Sequence, residues 1–144
     1  MFMGEFHHTI DSKGRIIVPA KLRENLGEQF IVTRGLEGCL FIYPKNEWEH
    51  IISKYKKLPD TKDRRYFMRI FLSGATVCEL DKQGRINIPA PLVQYSKLIK
   101  DCLIIGVDER LEIWSKESWE EFINENEDNL SDIADNLFAS NFNI

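Results

Sequence analysis

Two copies of Asp-x-x-x-Arg, Asp11/Arg15 and Asp81/Arg85, are the residues best placed to do chemistry, and a glycine, Gly14 or Gly84, precedes each arginine. A carboxylate opening a tight turn accepts backbone N–H bonds, and glycine takes positive φ there without steric cost. One reading of each pair is therefore structural, a local ion pair that fixes the turn, with Asp11, Gly14, Asp81 and Gly84 as loop-orienting residues. The arginines have a further use. A guanidinium held rigidly at a hairpin tip, beside Lys13 or Lys82, is aimed at planar acceptors such as guanine edges or phosphates. Lys13, Arg15, Lys82 and Arg85 are the candidate DNA-binding residues.

Other chemistries lack their residues. His7 and His8 are adjacent, so on a strand they point to opposite faces, and no carboxylate or cysteine completes a metal set at ligand spacing. Cys39, Cys78 and Cys102 are odd in number and widely spaced, which fits neither a disulfide framework nor a zinc site and suits a reducing cytoplasm. The phosphate-cradling and nucleophile motifs G-x-x-x-x-G-K-S/T, G-x-G-x-x-G, H-E-x-x-H and G-x-S-x-G are absent. No catalytic residue, cofactor or small-molecule substrate is expected, and the chain does not read as an enzyme. Trp48, Trp114 and Trp119 fall where core or interface packing accounts for them.

The elements that must position the two motifs are themselves repeated. Sliding the chain on itself by 70 positions aligns residues 10–22 with 80–92, and 7 of those 13 positions are identical, where chance gives about one. In the first copy Ile10 and Ile16 flank the turn as a short hairpin. Pro19 then removes a ladder donor and presets the first turn of a helix over Ala20–Leu26, which Gly27 ends. Strands over Gln29–Thr33 and Cys39–Tyr43 follow, joined by the Gly35/Gly38 turn. Trp48, Ile51, Ile52 and Tyr55 make a helical stripe over about Asn46–Lys57, broken by Leu58-Pro59. A linker helix over about Lys62–Ser73 places Tyr66, Phe67, Ile70 and Phe71 on an apolar face beside Arg64, Arg65 and Arg69. After the second copy a helix starts near Ser115 and carries Trp119, Phe122 and Ile123, and a short helix is possible near Leu130–Phe138.

This divides the chain into a first repeat (1–58), a linker helix (59–75), a second repeat with its helix (76–125) and an acidic tail (126–144). A unit of about 70 residues with short strands buries little surface, so the copies are expected to pair by interleaving their hairpins. That pairing would also bring the two Asp-x-x-x-Arg loops close together.

The 144 residues carry a net charge of −4 and are 43% hydrophobic, a globular composition. The acid is unevenly placed. From Glu117 onward there are eight acids and no Lys or Arg, so residues 1–116 sum to +4 and a polyanionic ligand is compatible with the acidic pI. No apolar run of about 18 residues exists and the opening residues lack a signal-peptide pattern, so a soluble, non-exported protein is expected. The basic set Lys54, Lys56, Lys57, Lys62, Arg64, Arg65 and Arg69 is either a solvated face, a subunit contact or a phosphate track.

Three ordered segments carry a family resemblance: Gly4-Glu5-Phe6-His7-His8-Thr9-Ile10-Asp11-Ser12-Lys13-Gly14-Arg15, Arg64-Arg65-Tyr66-Phe67-Met68-Arg69-Ile70-Phe71-Leu72-Ser73-Gly74-Ala75, and Asp81-Lys82-Gln83-Gly84-Arg85-Ile86. Together they resemble the MraZ family of bacterial regulators, over about residues 1–125. The resemblance implies an α+β fold in which two AbrB-like repeats form one interleaved swapped-hairpin β-barrel with flanking helices. It also implies a ring of many subunits that binds repeated short boxes in double-stranded DNA upstream of its own division and cell-wall operon, in the cytoplasm and on the nucleoid. Many copies of one weakly basic hairpin face would then act by avidity. A DNA-free oligomeric scaffold and an antitoxin-type hairpin protein are the alternatives. The second copy has Leu92-Val93-Gln94 where the first has Leu22-Arg23-Glu24, so the two copies need not meet DNA alike.

Overall fold

The computed structural model describes residues 1–139. The first copy contains β1 (Phe2–Thr9), β2 (Arg15–Ile17), α1 (Ala20–Leu26), β3 (Phe30–Arg34), β4 (Leu40–Pro44) and α2 (Lys45–Lys56). Helix α3 (Lys62–Ser73) leads to the second, with β5 (Thr76–Cys78), β6 (Arg85–Asn87), α4 (Ala90–Tyr95), β7 (Asp101–Asp108), β8 (Arg110–Ser115) and α5 (Lys116–Asn126). A 3-10 turn over Glu127–Asn129 and α6 (Leu130–Phe138) follow. The end of the acidic tail, residues 140–144, lies outside the described residues.

The local signals act as their chemistry dictates. Pro19, at φ −52, precedes α1, and Gly27, at φ +81, ends it while its N–H bonds the Arg23 carbonyl. Thr61 and Ser115 cap α3 and α5 by accepting from the backbone N–H groups of Arg64 and Ser118. The strands expected at Gln29–Thr33 and Cys39–Tyr43 each lie one residue later. Gly35 N–H bonds the Cys39 carbonyl at 2.7 Å, and this closes the turn with Cys39 as its last member. Pro44 ends β4 opposite Phe30 and presets α2, which begins one residue earlier than expected.

Pairing runs between the copies. β1 pairs antiparallel with β7, β3 with β5, β4 with β8, and β2 with β6. The strands on either side of each Asp-x-x-x-Arg turn share no ladder, although the turns are closed by Asp11 N–H to Arg15 O at 3.0 Å and Asp81 N–H to Arg85 O at 2.9 Å. The hairpin expected across each turn is therefore opened, and each arm finds its partner in the other repeat. Sheet order β1-β7-β8-β4-β3-β5 reads the same when the copies are exchanged, with a pseudo-two-fold axis between β8 and β4. β2 and β6 form a separate two-stranded ribbon.

Both faces of the six-stranded sheet are covered, which is why its central strands read as continuous apolar runs. On one face Phe30, Val32, Leu40, Ile42, Ile104 and Ile113 meet Ile16 and Ile86 of the ribbon and Leu22 and Leu92 of α1 and α4. On the other, Phe41, Tyr43, Leu103 and Trp114 meet α2, α3 and α5. Trp48 stacks on Phe71 with ring centroids 5.4 Å apart, and Trp114 and Trp119 meet edge-to-face at 5.3 Å. The apolar face expected on α3 splits: Phe67 and Phe71 pack inward, whereas Tyr66 and Ile70 are 49% and 57% exposed. Residues 66/70 and 67/71 form two neighbouring stripes on a helix, and only the second faces the sheet.

Candidate nucleic-acid interface

The two turns are built alike. Asp11 Oδ1 accepts from the backbone N–H of Lys13 and of Arg15, both at 2.9 Å, while Oδ2 accepts from Arg15 Nε at 2.7 Å. Asp81 Oδ1 accepts from the N–H groups of Gln83 and Arg85, both at 2.9 Å, and Oδ2 from Arg85 Nε at 2.8 Å. Gly14 and Gly84 take φ +82 and +76. These bonds hold both carboxyls below the ordinary carboxylate range, chiefly through the backbone N–H of Arg15 or Arg85 and then through its guanidinium. Each ion pair consumes only Nε. The Nη donors of Arg15 and Arg85 make no hydrogen bond among the described residues, so the orienting role of the aspartates and a ligand role for the arginines are compatible.

The ribbon sets where these side chains go. Arg15 lies opposite Asn87, Ile16 opposite Ile86, and Ile17 opposite Arg85. Ile16 and Ile86 are fully buried, so alternation puts Arg15, Ile17, Arg85 and Asn87 on the outer face. The two arginines are diagonal neighbours, roughly 7–8 Å apart at Cα. Cross-links from Ile88 N–H to Gly14 O at 2.7 Å and from Val18 N–H to Gly84 O at 2.9 Å fasten each turn to the opposite strand. The loops expected to lie close together thus sit at the two ends of one short ribbon, with the arginines between them. Lys13 and Lys82 are exposed at the tips, one place out of register with each other, since Lys13 corresponds to Gln83 and Lys82 to Ser12.

Three further side chains belong to this neighbourhood that a reading of the motifs alone leaves out. Ile17 and Asn87 occupy the outer face by strand alternation, a signal available from the period of two. Arg23 of α1 reaches the turn of the second repeat, which only the cross-copy pairing reveals. A two-stranded ribbon with paired outward arginines has the dimensions and donors to enter a major groove about 12 Å wide.

The other candidates lie elsewhere. Arg64 Nε donates to the Tyr55 carbonyl at 3.3 Å, Arg65 pairs with Asp60 at 3.2 Å, and Arg69 lies over the Tyr66 ring at 5.8 Å, so these three are engaged within the α2–α3 unit. His7 contacts Glu5 at 3.2 Å, and His8 on the opposite face of β1 is held below the ordinary histidine value by burial and by His7. The cysteines are free thiols, and burial pushes Cys102 up to about 11.

The repeated architecture has a counterpart among known proteins. The model of the MraZ protein family, described as antitoxin-like, matches the chain twice, at residues 1–70 and 71–141. The chain belongs to the MraZ family. The double match is the internal repeat itself. An MraZ relative from Ligilactobacillus salivarius (strain UCC118) is 57% identical over 138 residues, which covers 95% of this chain and 96% of that protein, and is named Transcriptional regulator MraZ. MraZ membership thus places the chain in a family of transcriptional regulators, which is not a family of enzymes. Among the described residues no helix is long and apolar enough to cross a membrane.

Proposed function

We propose that this protein regulates transcription by binding double-stranded DNA upstream of its own operon, with Arg15 and Arg85 reading base edges and Lys13 and Lys82 clamping phosphates. The observation that carries the reading is the pair of Asp-x-x-x-Arg turns, bonded alike, on one outward ribbon face, each with its guanidinium anchored at Nε and open at Nη. Asp11, Gly14, Asp81 and Gly84 hold the turns. A ring of subunits would repeat this face so that several short boxes are engaged together, and linked weak contacts raise affinity without any new interaction. The site of action is then the nucleoid.

The test is fluorescence anisotropy with a labelled duplex from upstream of the protein's own gene, against a scrambled duplex. Wild type should prefer the native duplex, and Arg15→Ala should lose about 1–3 kcal/mol of that binding. Binding indifferent to sequence and to Arg15 would move the assignment to an oligomeric scaffold that uses the fold for assembly alone.

A further inference from the structure

The pseudo-two-fold exchange of the copies predicts that the two turns have equivalent surroundings, and at one position they do not. Behind the second turn stands Arg23, whose counterpart behind the first is Val93. Arg23 Nε donates to the Val18 carbonyl at 2.8 Å, and Val18 N–H in turn bonds the Gly84 carbonyl. Its guanidinium lies against Gly84: a Cβ on that glycine would overlap the Arg23 terminal carbon and both Nη atoms. The first turn has no such neighbour, since a Cβ on Gly14 would meet only the Ile88 carbonyl and the Asn87 side chain. Glycine at position 84 therefore does two things. It supplies the positive φ of the turn, and it leaves the space in which the guanidinium of the other repeat rests.

Arg23 is half-buried, yet among the described residues no carboxylate lies within ion-pair distance of it, and of its side-chain nitrogens only Nε makes a hydrogen bond. An arginine fixed at Nε and without an ion-pair partner at Nη, against the turn that carries Lys82 and Arg85, is held at one nitrogen as the two motif arginines are, although Glu24, Glu28 and Glu79 line the same recess. Resting on loop backbone beside the ribbon, it has the chemistry for a phosphate oxygen.

We propose that Arg23 is a fifth DNA contact, a phosphate clamp that the first repeat supplies to the second repeat's turn and that the first turn lacks. This rests on the DNA-binding reading above and deepens it. The bland alternative is a strut that merely fastens α1 to the second turn.

Salt dependence separates the two. Anisotropy titrations of wild type, Arg23→Val and Arg23→Lys at a series of salt concentrations, on the native and scrambled duplexes, give the slope of log Kobs against log salt, and melting of each DNA-free protein reports the strut. A phosphate clamp predicts that Arg23→Val weakens both duplexes to a similar degree and reduces the slope by about 0.9, and that Arg23→Lys restores the slope. An unchanged slope in Arg23→Val, with wild-type binding still dependent on Arg15, overturns the clamp and leaves the strut, whatever happens to the melting temperature. Wild type that ignores the native duplex overturns the DNA-binding reading and this inference with it.

Discussion

At Arg15 and Arg85 one nitrogen is committed to the protein and two remain for a ligand, and the aspartates decide that division. Each carboxylate is used at both oxygens, by two backbone N–H groups and one Nε, so the guanidinium plane is fixed before any ligand arrives. Pre-ordering of this kind removes part of the entropy a flexible arginine would lose on binding. It also has a pH signature. A carboxyl whose folded pKa lies below its unfolded one contributes stability that is complete above the unfolded value and is lost as pH falls through the folded value. The turns should therefore be unaffected from neutral pH down to the ordinary aspartate value of 3.8 and should loosen only below it. Following the Lys13 and Arg15 amide resonances through an acid titration should give a midpoint below 3.8. In Arg15→Ala that midpoint should rise only part of the way, because the backbone N–H of position 15, the largest cause of the shift, remains. A wild-type midpoint at the ordinary value would mean that Asp11 does not hold the turn.

At the scale of elements the ribbon is the fragile part. It is two strands of three residues each, and such a pair has little stability in isolation. What holds it is the fully buried pair Ile16 and Ile86, plugged into the core beneath the arginines, together with the cross-links to Gly14 and Gly84. Ile86→Ala should cost about 2–5 kcal/mol, read as a lowered denaturation midpoint, and should weaken DNA binding further by letting the arginine face move. A variant with full stability would show that the ribbon is not seated on the core. The elements themselves were legible because their determinants are local: Pro19 and Gly27 bound α1, Ser115 caps α5, and the Lys62–Ser73 and Leu130–Phe138 helices lie where the pattern puts them. Which strands pair was less so. Ladder bonds are made by backbone groups common to every residue but proline, so Ile10 and Ile16 across a tight turn signal a hairpin as readily as a crossing. The same non-locality hid Arg23, which lies 61 positions before the Gly84 it rests on.

For the whole molecule, interleaving makes the two repeats inseparable. Cut between α3 and β5, the first copy keeps only the β3–β4 ladder, while β1, β2 and the outer edges of β3 and β4 lose their partners in β7, β6, β5 and β8. Long unpaired edges over a halved core are not a stable arrangement for a chain of that size. Residues 1–74 expressed alone should therefore be either unfolded or dimeric, with a second first-repeat standing in the place of the missing one. The internal identity around the turn makes such a stand-in sterically reasonable, and its ribbon would then carry Arg15 twice. Adding residues 75–144 should recover the native ribbon, seen as a return of the dispersed Ile16 and Ile86 resonances. Analytical ultracentrifugation and amide spectra of the separate and mixed halves test this. A folded, monomeric first half would mean that each repeat closes on itself, and the swapped pairing on which the shared arginine face depends would be lost with it.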